Sequence, residues 1–312
     1  MRIHLDNVNI HAGTGPNTFA NRLAQQFFCM GHDVIFEHGA SADVSLVFIE
    51  RSGMPLAEKV IQRLDGIWFK PEEFCVKNVG IKSLYESADC VIFQSQFDRD
   101  MSCKWWGKPR LHEVIHNGIN LNPLKQLTIP KLIEMRATFD KIYVCSSNWH
   151  PQKRLKSNYE LFQQLRMKDP NSCLIVMGNH PDFRIASPNV FHTGPVRPEI
   201  YNEIYSAANW MLHLAWADHC PNVVVEALAQ GTPVICSDVG GTKELVGSYG
   251  MVLKDQAYNF ELADYDNPPD LDITQVTELP DRKQLDYSSI ADIDISSVAK
   301  RYIKLFEELV RQ

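Results

Sequence analysis

Residues Ala217 to Thr242 read ADHCPNVVVEALAQGTPVICSDVGGT, and this window carries more constraints than any other in the 312-residue chain. Pro221 suits the first turn of a helix, where its missing N–H is no loss, and Gly231 suits the left-handed position that closes one. Between them there is room for about three helical turns. Val224, Val225, Leu228 and Ala229 give that helix a wide apolar face, and Pro233 to Cys236 reads as a short buried strand running into an Asp-Val-Gly-Gly loop. This is one helix-to-strand step of a parallel sheet. Within it, Glu226 is the one acid of an apolar, small-residue helix, and Asp218 stands just before the helix, whose N-terminus suits a phosphate or a sugar hydroxyl. Taken alone, the same acids also read as a solvated helix residue and a capping carboxylate.

The whole run resembles the signature of the retaining glycosyltransferases of family 4, which have the GT-B fold. That signature is Glu-x7-Glu, then Ala-Leu-Ala, a Gly-Thr-Pro-Val strand entry and a Gly-Gly loop ending in Glu-Leu-Val. Here the first acid is Asp218, one methylene shorter, the second is Glu226, and the tail reads Gly240-Gly241-Thr242-Lys243-Glu244-Leu245-Val246. The resemblance implies an α/β protein of two Rossmann-like domains facing each other across a cleft. The expected limits are 1–130 for an acceptor-side domain, 131–290 for a nucleotide-sugar domain, and 291–312 for a terminal helix returning to the first domain.

Composition agrees with this size and class. A chain that is 45% hydrophobic can bury two ordinary cores. No apolar run approaches the ~20 residues needed to cross a bilayer, and no charged-then-apolar leader stands at Met1. The eight cysteines form no C-x-x-C pair and sit mostly among apolar neighbours, as reduced thiols do. The expectation is a soluble, cytoplasmic protein without a zinc site. Net charge is −7, and residues 254–312 alone hold 13 acidic against 7 basic side chains. No basic stripe exists for nucleic acid.

Outside the decisive window, Ile3 to Val8 reads as a strand, Gly13-Thr14-Gly15-Pro16 as a glycine turn, and the run carrying Phe19, Leu23 and Phe27 as a helix. Thr18 stands where a dinucleotide fingerprint wants its third glycine, so this is a weak NAD motif. In the resemblance, Gly13 and Gly15 belong to the cleft loop of the first domain. Val44 to Ile49, Cys90 to Gln94 and Leu111 to His116 read as strands, with helical patterns around Leu56 to Leu64 and Phe74 to Ala88. Asp65, before Gly66, sits at a cleft-facing strand end and is either a turn former or sugar-facing. Trp105 and Trp106, among Lys104, Lys108 and Arg110, suit carbohydrate stacking, a peripheral membrane contact, or plain core packing. His116-Asn117-Gly118-Ile119-Asn120 is similar to the turn that closes the first domain in the family.

The second domain opens with a strand at Ile142 to Cys145. After it, Lys153, Arg154 and Lys156 crowd a helix start, where cations gain nothing from the helix dipole. An anionic partner accounts for such a cluster. The family holds a donor diphosphate here with an Arg and a Lys; Lys153 matches the Lys, Asn148 falls near the Arg position, and Arg154 is the substitute. By the same resemblance Glu226 binds the ribose, Asp218 faces the sugar, and Cys220, Pro221, Asn222, Val223, Gly240 and Gly241 line the donor. The implied catalytic set is Asp218, Glu226 and Lys153, with no metal and no cofactor, the nucleotide sugar (UDP-, GDP- or ADP-linked) being a substrate. The acceptor is open among glycan, lipid and protein. Two rivals remain at this stage: another GT-B enzyme such as an epimerase or phosphorylase, and a non-catalytic binding subunit. Beyond Val252 the Asp- and Pro-rich stretch reads as a long surface excursion, and Val298, Tyr302, Leu305 and Leu309 mark a terminal amphipathic helix.

Overall fold

The structure is a computed structural model that describes residues 1–37, 39–54, 56–124, 126–179, 187–280 and 291–312. The last ten positions of the expected second domain, 281–290, lie outside the described residues. The first sheet contains β1 (Arg2–Asp6), β2 (Asp33–Ile35), β3 (Ser41–Phe48), β4 (Leu56–Leu64), β5 (Cys90–Phe93) and β6 (His112–Val114), all parallel, in the order β2-β1-β3-β4-β5-β6. The helices of this half are α1 (Gly15–Cys29), α2 (Pro71–Lys77), α3 (Val79–Ser87) and α4 (Gln96–Trp106). The second sheet contains β7 (Lys141–Ser146), β8 (Ser172–Met177), β9 (Val190–Gly194), β10 (Trp210–His213), β11 (Val234–Ser237) and β12 (Gly250–Leu253). It too is parallel, in the order β12-β11-β10-β7-β8-β9. Its helices are α5 (Pro130–Thr138), α6 (Leu155–Lys168), α7 (Pro198–Ala207), α8 (Asn222–Ala229) and α9 (Thr242–Val246), and α10 (Ile295–Val310) ends the chain.

The stretch Leu56–Leu64 corrects a sequence expectation. Leu56, Val60, Ile61 and Leu64 have helical spacing, yet the segment is the strand β4, paired with β3 on one side and β5 on the other. Its last four residues, Ile61 to Leu64, are all buried, so the segment has no continuous polar face for solvent. Two β-branched residues inside a sheet buried on both faces outweigh a short-range period.

Helix α10 supplies a large part of the first core. Asp294 caps it, accepting from the Ser297 N–H at 3.1 Å. Ile295, Val298, Tyr302 and Phe306 then pack with Phe19, Leu23 and Phe27 of α1 and with Ile3 and Val44 of the sheet. The Tyr302 ring lies 6.3 Å from both Phe19 and Phe27. Thus the final sixteen-residue helix completes a core begun at the N-terminus.

Within the stretch expected to be a surface excursion, residues 258–265 form a half-buried strap. The Ala263 N–H donates to the Phe69 carbonyl at 2.9 Å, and the Tyr258 ring stands 5.0 Å from Trp216 and 6.1 Å from Phe69. Trp105 Nε1 donates to the Phe260 carbonyl at 2.8 Å, and Lys104 pairs with Glu261 at 2.6 Å. Trp106 packs edge-on against Tyr85. The Trp105-Trp106 pair is therefore half-buried packing beside the strap, the arrangement the core-packing reading describes.

Truncating Tyr302 leaves a cavity between α1 and α10 in which neither helix can close independently. Tyr302→Ala is expected to lower unfolding free energy by about 3–5 kcal/mol, measured by urea denaturation; a loss under about 1 kcal/mol would show that α10 is dispensable to the first core.

Candidate active site

The second sheet reverses its order between β7 and β10, and in parallel α/β sheets ligands bind beyond the strand ends at such a point. The chain leaving β10 delivers Asp218 there, and the chain leaving β7 delivers Asn148 and Lys153. Lys153 Nζ lies 2.6 Å from Asp218 Oδ2, and His213 Nε2 lies 3.2 Å from the same oxygen. Burial alone would raise the Asp218 pKa. The Lys153 ammonium and the His213 hydrogen bond outweigh it and hold the carboxyl well below the usual range, so it is ionised at neutral pH. Asp218, Lys153 and Asn148 share a cavity of about 340 Å³ with Cys220, Pro221, Asn222 and Val223. The Asn222 and Val223 N–H groups precede the first bond of α8, which runs from the Val224 N–H to the Pro221 carbonyl at 3.1 Å, and they give this wall a positive end.

Helix α8 is eight residues long, shorter than the sequence expectation, with Pro221 as its cap residue and Gly231 just beyond its end at φ 72°. Glu226 is 6% exposed, not solvated. Its Oε1 accepts from Arg22 of α1 at 2.7 Å across the cleft, with Tyr201 alongside. Burial pushes its pKa up, against the pull of Arg22. Glu226 stands outside the cavity wall and reaches the first domain instead.

Two expected donor contacts serve other ends. Arg154 is 5% exposed and left-handed at φ 50°; its guanidinium grips Asp255 at 2.6 Å and the Pro269 carbonyl at 2.5 Å, pointing away from the cleft. It anchors the chain after β12 and cannot substitute for the missing family Arg. Gly240 and Gly241 buttress the Asp218 backbone: Gly241 N–H donates to the Asp218 carbonyl at 2.7 Å. A Cβ on Gly241 would stand 1.9 Å from the His219 carbonyl and 2.6 Å from Ser95, so only glycine lets the two domains meet here.

The first domain presents Gly15, Asp65 and residues unnoticed in the sequence. The Gly15 carbonyl accepts from Asn222 Nδ2 at 2.8 Å, placing the glycine turn against the start of α8, whereas Gly13 stays clear of both cavity walls. Asp65 pairs with Arg63, whose guanidinium is 1% exposed and lies 4.5 Å from the Phe19 ring centre and 5.2 Å from that of Phe48. Arg63 also bonds Asn117, which donates to the Cys220 carbonyl and to Asn222 Oδ1, each at 3.0 Å. Ile49 sits at φ 69°, a conformation costing a β-branched residue about 1–3 kcal/mol. It is pinned by its N–H to the Arg63 carbonyl at 2.9 Å and by Gln62 Nε2 on its own carbonyl at 2.8 Å.

His219, next to Asp218, fills the gap between the domains. Its ring sits where a side chain on Gly66 would, and its Nδ1 lies 3.6 Å from Asp98 of α4. Burial lowers the His219 pKa to about 4 and raises that of Asp98 to about 8. Both groups are neutral near pH 7. A second cavity of about 510 Å³ opens on this side, sharing Asp65, Lys153, Asp218 and His219 with the first. His219, Asp98, Arg63 and Asn117 were invisible as site residues because each is drawn in by a contact distant in sequence, whereas His213 lies five residues from Asp218 and was hidden inside the apolar strand β10.

Comparison with known proteins places this geometry. Residues 140–264 match the family described as Glycosyl transferases group 1. HepE of Anabaena, solved with UDP and glucose, is similar at TM-score 0.68 and 16% identity, over 99% of this chain and 100% of that one. A glycosyltransferase from Rickettsia africae is similar at TM-score 0.67 and 15% identity, over 100% and 99% of the two chains. Sucrose-phosphate synthase from Thermosynechococcus elongatus gives 0.61 and 16%, over 100% and 97%. No curated protein matches. The chain thus has the GT-B fold, and residues 140–264 are similar to the group 1 glycosyltransferases.

The Asp98 shift has a defined sign. Folding raises its pKa from 3.8 to about 8, so within that window the folded state binds more protons and stability falls as pH rises. His219, lowered from 6.5, acts oppositely but only below pH 6.5. Between pH 6.5 and about 8, Asp98→Asn is therefore expected to flatten a decline of up to about 1.4 kcal/mol per pH unit, read from urea midpoints across that range. An identical slope in the variant would contradict the assignment.

Proposed function

We propose that this protein is a glycosyltransferase that moves a sugar from a nucleotide-sugar donor to an acceptor hydroxyl with retention of anomeric configuration. The observation that carries the reading is the Lys153–Asp218–His213 cluster at the sheet reversal, beside the N-terminus of α8 and opposite Gly15 and Asp65. HepE of Anabaena, with the same fold, was solved with UDP-glucose as well as with UDP and glucose. In this reading the diphosphate lies on the α8 N-terminus, and Lys153 offsets its charge as that charge grows. Asp218, fixed as a carboxylate, faces the sugar. The ribose diol is assigned to Glu226, which lies behind the cavity wall, so the nucleotide reaches it by drawing the Arg22 side chain off that carboxylate.

Chemically, the acceptor oxygen bonds to the anomeric carbon while the bond from that carbon to the diphosphate oxygen breaks. The diphosphate leaves with the electron pair and takes the acceptor's proton. Stabilisation of the leaving group falls to Lys153 and the backbone N–H groups, so turnover is expected to survive EDTA. Complete loss with EDTA, restored by manganese, would assign the leaving-group role to a metal instead.

Isothermal titration separates the two acids. Removing a charged hydrogen bond costs about 1.5–3 kcal/mol, so Glu226→Ala should weaken UDP about 10- to 100-fold and UDP-sugar equally. Because Glu226 is buried against Arg22, Glu226→Gln serves as the volume-conserving control for folding. Asp218→Asn should leave UDP affinity within about threefold while lowering turnover. An unchanged nucleotide Kd in a folded Glu226→Ala protein would refute the ribose contact.

A further inference from the structure

The larger of the two cavities has walls that select a chemical class. At its inner end stand Asp65, Lys153, Asp218 and His219, shared with the proposed donor side. Beyond them the lining turns apolar: Ile49, Ile67, Trp68, Phe69 and Ile81. Its volume of about 510 Å³ falls in the range of small-molecule sites.

The polar groups of this lining are largely engaged by the protein itself. Glu73 is held by Lys77 at 2.6 Å and by the Tyr265 hydroxyl. Asp266 is held by Lys70 at 2.5 Å, Asp65 by Arg63, and Gln152 donates to the Ala217 carbonyl at 3.3 Å. What remains for a guest beyond the reacting end is the imidazole of His150, the indole N–H of Trp68 and the spare acceptor sites of the Glu73 and Asp266 carboxylates, the latter half-exposed. A sugar acceptor, with a hydroxyl on nearly every carbon, would leave most of those groups without partners in such a chamber, and each unmatched buried polar group is unfavourable.

Ile49 adds a second, independent observation. Its left-handed backbone is unfavourable for a β-branched residue, yet it is locked there by bonds to Arg63 and Gln62, and the result is an aliphatic side chain on the chamber wall. Glycine or asparagine would meet the backbone requirement without strain. Of the apolar lining residues, Trp68 is the one open to solvent, at 41% exposure. Asn78 bonds both the N–H and the carbonyl of Trp68 and so fixes its position at the cavity edge, with the Lys77 ammonium 4.0 Å from the ring centre.

Building on the glycosyltransferase reading, we infer that this chamber receives the acceptor, and that the acceptor is an alcohol or phenol with an apolar body. Its hydroxyl lies at the end shared by Asp65, Asp218 and His219, where the oxygen meets the anomeric carbon and its proton leaves with the diphosphate. Its body lies against Ile49, Ile67 and Ile81, and anything longer emerges past Trp68.

The test uses the full chain and the neutral fluorescent probe N-phenyl-1-naphthylamine, which needs no donor. Probe fluorescence should rise on binding and be displaced by n-octanol and by 2-naphthol, but not by methyl glucoside at the same concentrations. Whichever of the two displaces more strongly separates an aliphatic from an aromatic body. Ile49→Asn relieves the backbone strain, so it should fold, and it should weaken the probe about tenfold while leaving UDP affinity unchanged. Trp68→Ala, at an exposed position, is the second variant and should weaken long alcohols more than naphthol. Displacement by methyl glucoside as effective as by octanol, or probe binding untouched by both substitutions, would overturn the inference. Failure of the underlying reading looks different: the unaltered protein would bind the probe as described but no nucleotide, and the acceptor role would fall with it.

Discussion

A fully buried guanidinium sets the geometry on which the rest of the cleft depends. Arg63 is next to last in β4, inside the first domain, where an unpaired cation would cost several kcal/mol. It is tolerated because Asp65 pairs with it, Asn117 and Gln94 accept from one terminal nitrogen, two phenyl rings lie within about 5 Å of it, and the Tyr302 hydroxyl of α10 lies against it, although its Nε has no hydrogen-bond partner. Each partner is thereby fixed in place. Asp65 is held at the cavity edge, Ile49 is pinned by the Arg63 carbonyl, and Asn117 carries the network across to Cys220 and Asn222 at the start of α8. One buried charge thus couples the end of the first sheet, the terminal helix and the anion-ready end of the second domain.

The domains are tied at three further places, and each tie uses a different interaction. Glu244 of α9 accepts from the Gln96 and Phe97 N–H groups at 2.7 and 2.9 Å, a carboxylate seated on the N-terminus of α4, with His116 at 3.1 Å. Burial would raise its pKa, but these bonds prevail and hold it low. The strap at 258–265 adds apolar area and aromatic edges, and α10 adds a whole helix to the opposite domain's core. With His219 wedged between Gly66 and Asp98, the two cavities meet along a line of polar side chains whose spacing these ties define. Small movements of either domain would change that spacing, which makes the cleft a composite of both halves and not a property of one.

Local chemistry made much of this legible from the sequence. The apolar helix face after Pro221, the Gly231 stop, the Val234–Ser237 strand and the alternation of strands and helices depend on neighbours within a few residues, and such features survive without tertiary information. The same holds for the placement of Asp218, Lys153 and Asn148, because a parallel sheet brings the loops after its strands to one edge whatever their contents. Where local and global preferences competed, sequence spacing misled. Leu56–Leu64 has a helical period but became a strand because sheet burial decided; Arg154 looked like a phosphate ligand but is bound to Asp255, 101 residues away.

What the sequence determined by itself was therefore the class of architecture and the loops that face the cleft, since backbone chemistry and hydrophobic period act over short range. The tertiary structure alone decided which charges are spent inside the protein and which face a ligand. Glu226 and Arg22 meet across 204 residues, Asn117 and Cys220 across 103, and Lys104 and Asn259 across 155. Desolvation and pairing depend on what lies within a few ångströms in space, and for these residues that neighbourhood is assembled only when the two domains close on each other.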